Sequence, residues 1–180
     1  MKINDAKNAF KVGDFLLRND KSPNKIMIKY LNEHSNKLLT DSSGRVYLIV
    51  SGNEIMKIGG SMSRGGIKAT ISFYVSAQQG GPSLRSFAIH LLIEQELNKN
   101  SKVELWMITN KKSKAEINGL NTQKTIEVAA FKESEDLCKE EYKNIMGKYP
   151  KWNFQENSEI YPNKIEKNYR NYMEKRSKNL

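Results

Sequence analysis

The sequence predicts an α+β fold: a small mixed or antiparallel β-sheet, made of a hairpin and a further strand, flanked by helices. Three observations predict it. Two β-rich runs, Val46-Tyr47-Leu48-Ile49-Val50 and Glu54-Ile55-Met56-Lys57-Ile58, stand on either side of Ser51-Gly52-Asn53 and read as a hairpin. Val103-Glu104-Leu105-Trp106-Met107-Ile108 alternates like a strand. Apolar residues recur at helical spacing in Leu84, Phe87, Ala88, Leu91 and Leu92, and again over residues 134 to 146.

Residues 1 to 43 are polar and lysine-rich, and read as a helical extension with helices near residues 5 to 17 and 23 to 39. Their apolar residues, such as Phe10, Phe15, Ile26 and Leu39, suffice to dock on a core but not to make one. The turn cluster Asp41-Ser42-Ser43-Gly44 opens the predicted core, residues 44 to 155. Residues 67 to 77 read as a helix against the pull of their β-branched side chains. Pro82 and Ser83 open the clearest helix, which runs to Leu97. Residues 109 to 124 are polar and basic, a predicted surface loop, and an apolar run from 126 to 131 follows. Ser134 is a candidate N-cap, with acidic residues in the first turn behind it, and Gly147 and Pro150 end that helix. Residues 156 to 180 form a basic tail, read as a helix from about Tyr161; both ends of the chain are candidates for DNA or dimer contacts.

The 180 residues carry 30 Lys and Arg against 20 Asp and Glu, a formal charge of +10. Such a surface attracts polyanions, nucleic acid first and an anionic membrane second. The longest apolar runs are strand-length, far below the roughly 20 residues of a membrane span. No apolar signal core follows Met1, so a cytoplasmic protein without membrane contact is the expectation. One cysteine, Cys138, and two histidines, His34 and His90, exclude an internal disulfide and a Cys/His zinc site. Any metal then has oxygen ligands, which suits Mg2+ or Mn2+.

Pairing the hairpin across a three-residue loop puts Val50 beside Glu54 and Tyr47 opposite Lys57. An ammonium there would lower the phenol pKa and improve Tyr47 as a proton acceptor. The plainer reading is a core tyrosine beside a snorkelling lysine. On the helix after residue 134, Leu137, Cys138, Tyr142 and Ile145 define an apolar face that includes Glu141 and leaves Glu140 outward. An inward carboxylate calls for a metal ion or a buried Lys or Arg. Ser61-Met62-Ser63-Arg64-Gly65-Gly66 reads as a DNA-backbone loop or a plain connection. Lys111, Lys112 and Lys114 are candidate phosphate contacts. Arg85 and His90 stand about 140° apart on their helix and do not form a pair.

These residues resemble the GIY-YIG nuclease superfamily. Its Gly-Ile-Tyr motif is similar to Arg45-Val46-Tyr47, and its Tyr-Ile-Gly motif to Lys57-Ile58-Gly59, ten residues on. Glu141, followed nine residues later by Pro150 and twelve later by Asn153, resembles its C-terminal signature. The likeness spans residues 44 to 153 and implies a Mg2+ ion on Glu141. Tyr47 or an activated water would begin in-line attack on a phosphate, with a basic side chain steadying the charge. Arg45 replaces the family's glycine and Lys57 its second tyrosine, as in certain restriction endonucleases of the superfamily. The family's arginine would fall at Lys68, with Arg64 and Arg85 as the other candidates; Lys57 and Asn153 complete the implied catalytic set. The resemblance implies a Type II-like restriction endonuclease cutting double-stranded DNA as a homodimer. A repair, phage or mobile-element nuclease on the same core is the nearest alternative, and a nucleic-acid-binding protein without catalysis the next.

Overall fold

The computed structural model describes residues 1–110, 113–128 and 130–178. Five strands make one antiparallel sheet: β1 (Phe10–Leu17), β2 (Ile26–Tyr30), β3 (Arg45–Ser51), β4 (Glu54–Ser61) and β5 (Val103–Thr109), in the order β2-β1-β5-β3-β4. The helices are α1 (Asn36–Thr40), α2 (Gly66–Val75), α3 (Leu84–Asn98), α4 (Phe131–Met146) and α5 (Asn163–Ser177). Two further strands, β6 (Ser113–Asn118) and β7 (Gln123–Val128), pair only with each other. Among the described residues, no helix is long and apolar enough to cross a membrane.

The α+β architecture agrees with the sequence, and the largest correction lies at the N-terminus. Residues 1 to 43 contribute a single 3-10 turn (Ile3–Asp5), two sheet strands and one short α-helix, not a pair of longer helices. Short apolar runs do not distinguish strand from helix by period, and β5 supplies a partner that settles it: Phe15 pairs with Val103 and Asp14 with Glu104. Val12, Phe15 and Ile26 are thereby fully buried. The predicted surface loop at 109 to 124 also holds a strand, β6.

Each face of the sheet has its own core. Tyr47, Ile49, Leu105 and Met107 pack under α2 and α3 with Ile67, Ile71, Ile89 and Ile93. Val46, Leu48, Val50 and Ile58 pack under α4 and the N-terminal turn with Ile3 and Tyr142. Covered on both faces, β3 is buried at all seven positions and reads as an unbroken apolar run from Val46 to Val50. The outer edge of β4 is covered too. The Ile55 N–H donates to the Met1 carbonyl at 3.3 Å and the Trp152 N–H to the Met56 carbonyl at 2.8 Å, so little strand edge is left to template aggregation.

The hairpin register differs from the expected one. Ser51 pairs with Glu54 across a two-residue turn in which Gly52 and Asn53 both have positive φ, 53° and 75°. The register then shifts between Ile49 and Val50, so that Met56 is an extra residue on β4. The result pairs Lys57 with Ile49 and Tyr47 with Gly59, two positions from the expected alignment.

Candidate active site

Gly59 and Gly60 explain how a site forms at the β4 edge. Consecutive strand residues face opposite sides of a sheet. A Cβ on Gly59 would overlap the Tyr47 ring, with Cε1 at 2.9 Å, and one on Gly60 would overlap the Glu135 carboxylate, with Cδ at 3.0 Å. Two missing side chains therefore let a phenol from β3 and a carboxylate from α4 close on the same edge strand from opposite faces.

Around that gap stand further charged and hydroxyl groups. The Tyr47 and Tyr74 hydroxyls are 2.6 Å apart, both buried. The Lys139 ammonium lies 2.5 Å from Glu135 Oε1 and 2.7 Å from Glu156 Oε1, bridging α4 to the segment after it. Arg85, at the start of α3, donates through Nη2 to Gln155 Oε1. Lys57 is 6% exposed, and its charge is felt together with those of Glu156, Arg85, Lys139 and Glu135. Asn153 is fully buried; its Oδ1 accepts from the Ile58 N–H and its Nδ2 donates to the Ile58 carbonyl, both at 2.9 Å. That clamp pins the post-α4 loop to β4 and brings Glu156 to Lys139.

The electrostatics depart from expectation at Tyr47. Burial pushes its pKa well above the ordinary value, and Tyr74 adds to the rise. Lys57 does not offset this, because the bulged register pairs it with Ile49 and places its charge beside Glu156 and Arg85 instead. Burial, aided by Arg85 and Lys139, brings the Lys57 ammonium down to about 8. Burial also raises the Glu156 carboxyl, but hydrogen bonds from Lys139, its own backbone N–H and Asn153, with the Lys139 charge, together outweigh it and hold the group at about 2.

Of the residues singled out in the sequence, Tyr47, Lys57 and Arg85 gather at this edge, with Asn153 supporting it from beneath. Glu141 does not join them. It is exposed and lines a cavity of about 290 Å³ with Met1, Leu48, Ile58 and Cys138 on the α4 face of the sheet. The expected helix face is rotated, because Leu137 and Ile145 are 56% and 65% exposed while Lys139 and Tyr142 are buried. Glu135, about 120° around the helix from Glu141, has the inward place instead. Lys68 is engaged elsewhere, donating to Asn36 Oδ1 at 2.6 Å, and Arg64 is exposed in the connection between β4 and α2. Lys114 is exposed on β6; Lys111 and Lys112 lie outside the described residues.

Tyr74, Glu135, Lys139 and Glu156 were not found in the sequence. A signal existed for two of them: Glu135, Cys138, Lys139 and Tyr142 share one helical face, with Glu135 and Lys139 spaced as an i,i+4 pair.

Among the described residues, no group of three or more His, Cys, Asp or Glu side chains converges as a metal cage. Two carboxylates already share one cation position, however, now filled by the Lys139 ammonium. That donor set fits Mg2+, which is commonly held by one or two carboxylates, with water and substrate phosphate completing its shell.

No family model matches the chain, and no curated protein matches it. Similar solved structures include a restriction endonuclease and a bacteriophage protein. Restriction endonuclease HPY188I in complex with product DNA overlaps with a TM-score of 0.48 at 18% identity, covering 83% of this chain and 84% of its own. A mutant of bacteriophage T4 EndoII overlaps with a TM-score of 0.53 at 18% identity, covering 85% of this chain and 98% of the phage protein. The chain shares its fold with bacteriophage T4 EndoII.

Proposed function

We propose that the chain is a divalent-metal-dependent endonuclease for double-stranded DNA, of the GIY-YIG kind and Type II-like in cutting at a preferred sequence. The observation that carries this reading is the edge cluster, in which the motif residues Tyr47 and Lys57 meet Arg85 and a carboxylate, Glu135. The fold shared with EndoII, an endonuclease by name, and the charge of +10 support it.

In this reading, Glu135 and Glu156 would hold a Mg2+ or Mn2+ ion in the position now taken by the Lys139 ammonium, and such an ion would supply Lewis-acid chemistry to the phosphate and the attacking water. Tyr47 would orient the attacking water for in-line attack on phosphorus and take its proton, a role in which the charge of a bound ion would have to offset the effect of burial on the phenol, since Arg85 alone does not. Arg85 and Lys57 bear the charge that grows on the phosphoryl oxygens. Arg85 suits this better than Lys68 or Arg64, because its charge already reaches Tyr47, Lys57 and Tyr74. Two copies would cut both strands of a symmetric site.

Plasmid digestion in Mg2+ tests the assignment. Tyr47→Phe and Glu135→Ala should each slow cleavage by about 100-fold or more, and Glu141→Ala by no more than about threefold. Loss in Glu141→Ala with retention in Glu135→Ala would return the metal role to Glu141. The Lys139 ion pair also favours a second reading, a DNA-binding protein whose metal position is permanently neutralised. Duplex binding without cleavage in Mg2+ or Mn2+ would establish that alternative.

A further inference from the structure

We infer that the β6–β7 ribbon is the element that reads DNA sequence, presenting to a groove the face that carries Lys114, Glu116, Asn118, Gln123 and Thr125. The inference rests on the nuclease reading for its partner, and on the ribbon's own geometry for the rest.

The ribbon stands apart from the body of the protein. Neither strand pairs with the five-stranded sheet, and none of its side chains belongs to either core. A two-stranded hairpin alone in water is marginally stable, so a ribbon of this kind calls for a partner. Its six-residue strands span about 20 Å, against a major groove about 8.5 Å deep that is wide enough for a two-stranded ribbon.

Its two faces differ sharply. Pairing sets Ala115 opposite Ile126, Ser113 opposite Val128 and Ile117 opposite Lys124, so one face is largely apolar. The half-buried residues of the ribbon, Ala115, Ile126 and Val128, all lie on that face. The other face pairs Lys114 with Glu127, Glu116 with Thr125 and Asn118 with Gln123, and all six are exposed. Every one of its side chains can bond a base edge: Asn and Gln the adenine edge, Lys the guanine edge, Glu the cytosine amine, and Thr several of these.

Charge separates base reading from phosphate clamping. Residues 113 to 128 contain two lysines, Lys114 and Lys124, and two glutamates, Glu116 and Glu127, so the ribbon is neutral on a chain of +10. Backbone binding would call for a basic ribbon; a neutral, amide-rich face suits hydrogen bonds to bases. The tip adds Leu120, fully exposed, an apolar group suited to a thymine methyl.

The ribbon also springs from the right place. It leaves β5 after Thr109, which pairs with Arg45, and returns to α4 at Phe131. At its base, the Asn110 side chain donates to the Ser134 hydroxyl, one residue before Glu135. A ribbon seated in a groove is thus tied to the helix that carries the cluster's carboxylate.

Selection of duplexes from a randomised pool in EDTA, with the full chain and with the Asn118→Ala/Gln123→Ala double variant, tests the inference. The wild type should enrich a defined sequence. The double variant should relax the preference at one or more base pairs by about tenfold while binding an unselected duplex within about twofold of wild type. Enrichment of the same sequence to the same degree by the double variant, or of no sequence by the wild type, would overturn the ribbon's role and leave cleavage intact. A variant that keeps base preference but changes sedimentation from dimer to monomer would reassign the ribbon to a subunit contact. Failure of the wild type to bind any duplex would instead overturn the nuclease reading and this inference with it.

Discussion

Tyr47 and Tyr74 share one short hydroxyl contact of 2.6 Å in a site where neither is more than 5% exposed. Removing one hydroxyl leaves the other buried with a lost partner, so Tyr47→Phe and Tyr74→Phe should each destabilise the fold by about 1–3 kcal/mol. The double variant should cost clearly less than the sum, which urea unfolding of the four proteins would measure. Lys57 makes a prediction about pH. Its folded pKa of about 8 lies below the ordinary 10.5, so between these values the unfolded chain binds the extra proton. Stability should therefore rise with pH across that window, by as much as about 3 kcal/mol from this one group, and be independent of Lys57 protonation below it. Comparing wild type with Lys57→Met at pH 7.5 and 9 isolates the slope; an identical slope in both would mean that Lys57 is not a buried ammonium in solution.

At the scale of elements, the site is a meeting of two segments at one strand edge. β4 supplies the gap through Gly59 and Gly60, α4 supplies Glu135 and Lys139, and the loop after α4 is held against β4 by Asn153. The Asn153 amide bonds both backbone groups of Ile58 and also reaches Glu156, so the geometry gives it a positioning role beneath the cluster. Asn153→Ala should cost about 2–5 kcal/mol by leaving two buried backbone groups unpaired. Thermal unfolding checks this directly. An unchanged Tm with cleavage lost would place Asn153 on the substrate instead.

Across the whole molecule, the sheet sets distances and the surface sets attraction. Helices cover both faces and backbone segments cover the β4 edge, while α5 packs on α3 through Tyr169 and Tyr172 against Phe87. The net charge of +10 then acts over the exterior. Binding to an unselected duplex should weaken with a log–log salt slope of about −4 or steeper, the release of roughly five phosphate counterions. Fluorescence anisotropy between 50 and 200 mM salt, as rough bounds of the useful range, would show it. A flat response would mean that these charges do not converge on a duplex.

Where local pattern suffices, the sequence was legible. The β3–β4 hairpin, α3, β5, α4 and the basic C-terminal helix all follow from period, turn residues and caps, and Tyr47, Lys57 and Arg85 were visible as candidates. Residues 10 to 17 were not, because a short apolar run becomes a strand or a helix according to the partner it finds, and β5 lies more than eighty residues away. The bulge at Met56 was also invisible, and with it the true neighbours of Tyr47, since one inserted residue resets the register beyond it. Glu135 rather than Glu141 faces the cluster for a related reason. Apolar residues on α4 outnumber the places on the sheet that can bury them, so Leu137 and Ile145 stay in water while Lys139 is drawn inward by two carboxylates. Element type is a property of neighbouring residues along the chain; the face an element turns inward depends on what lies across from it.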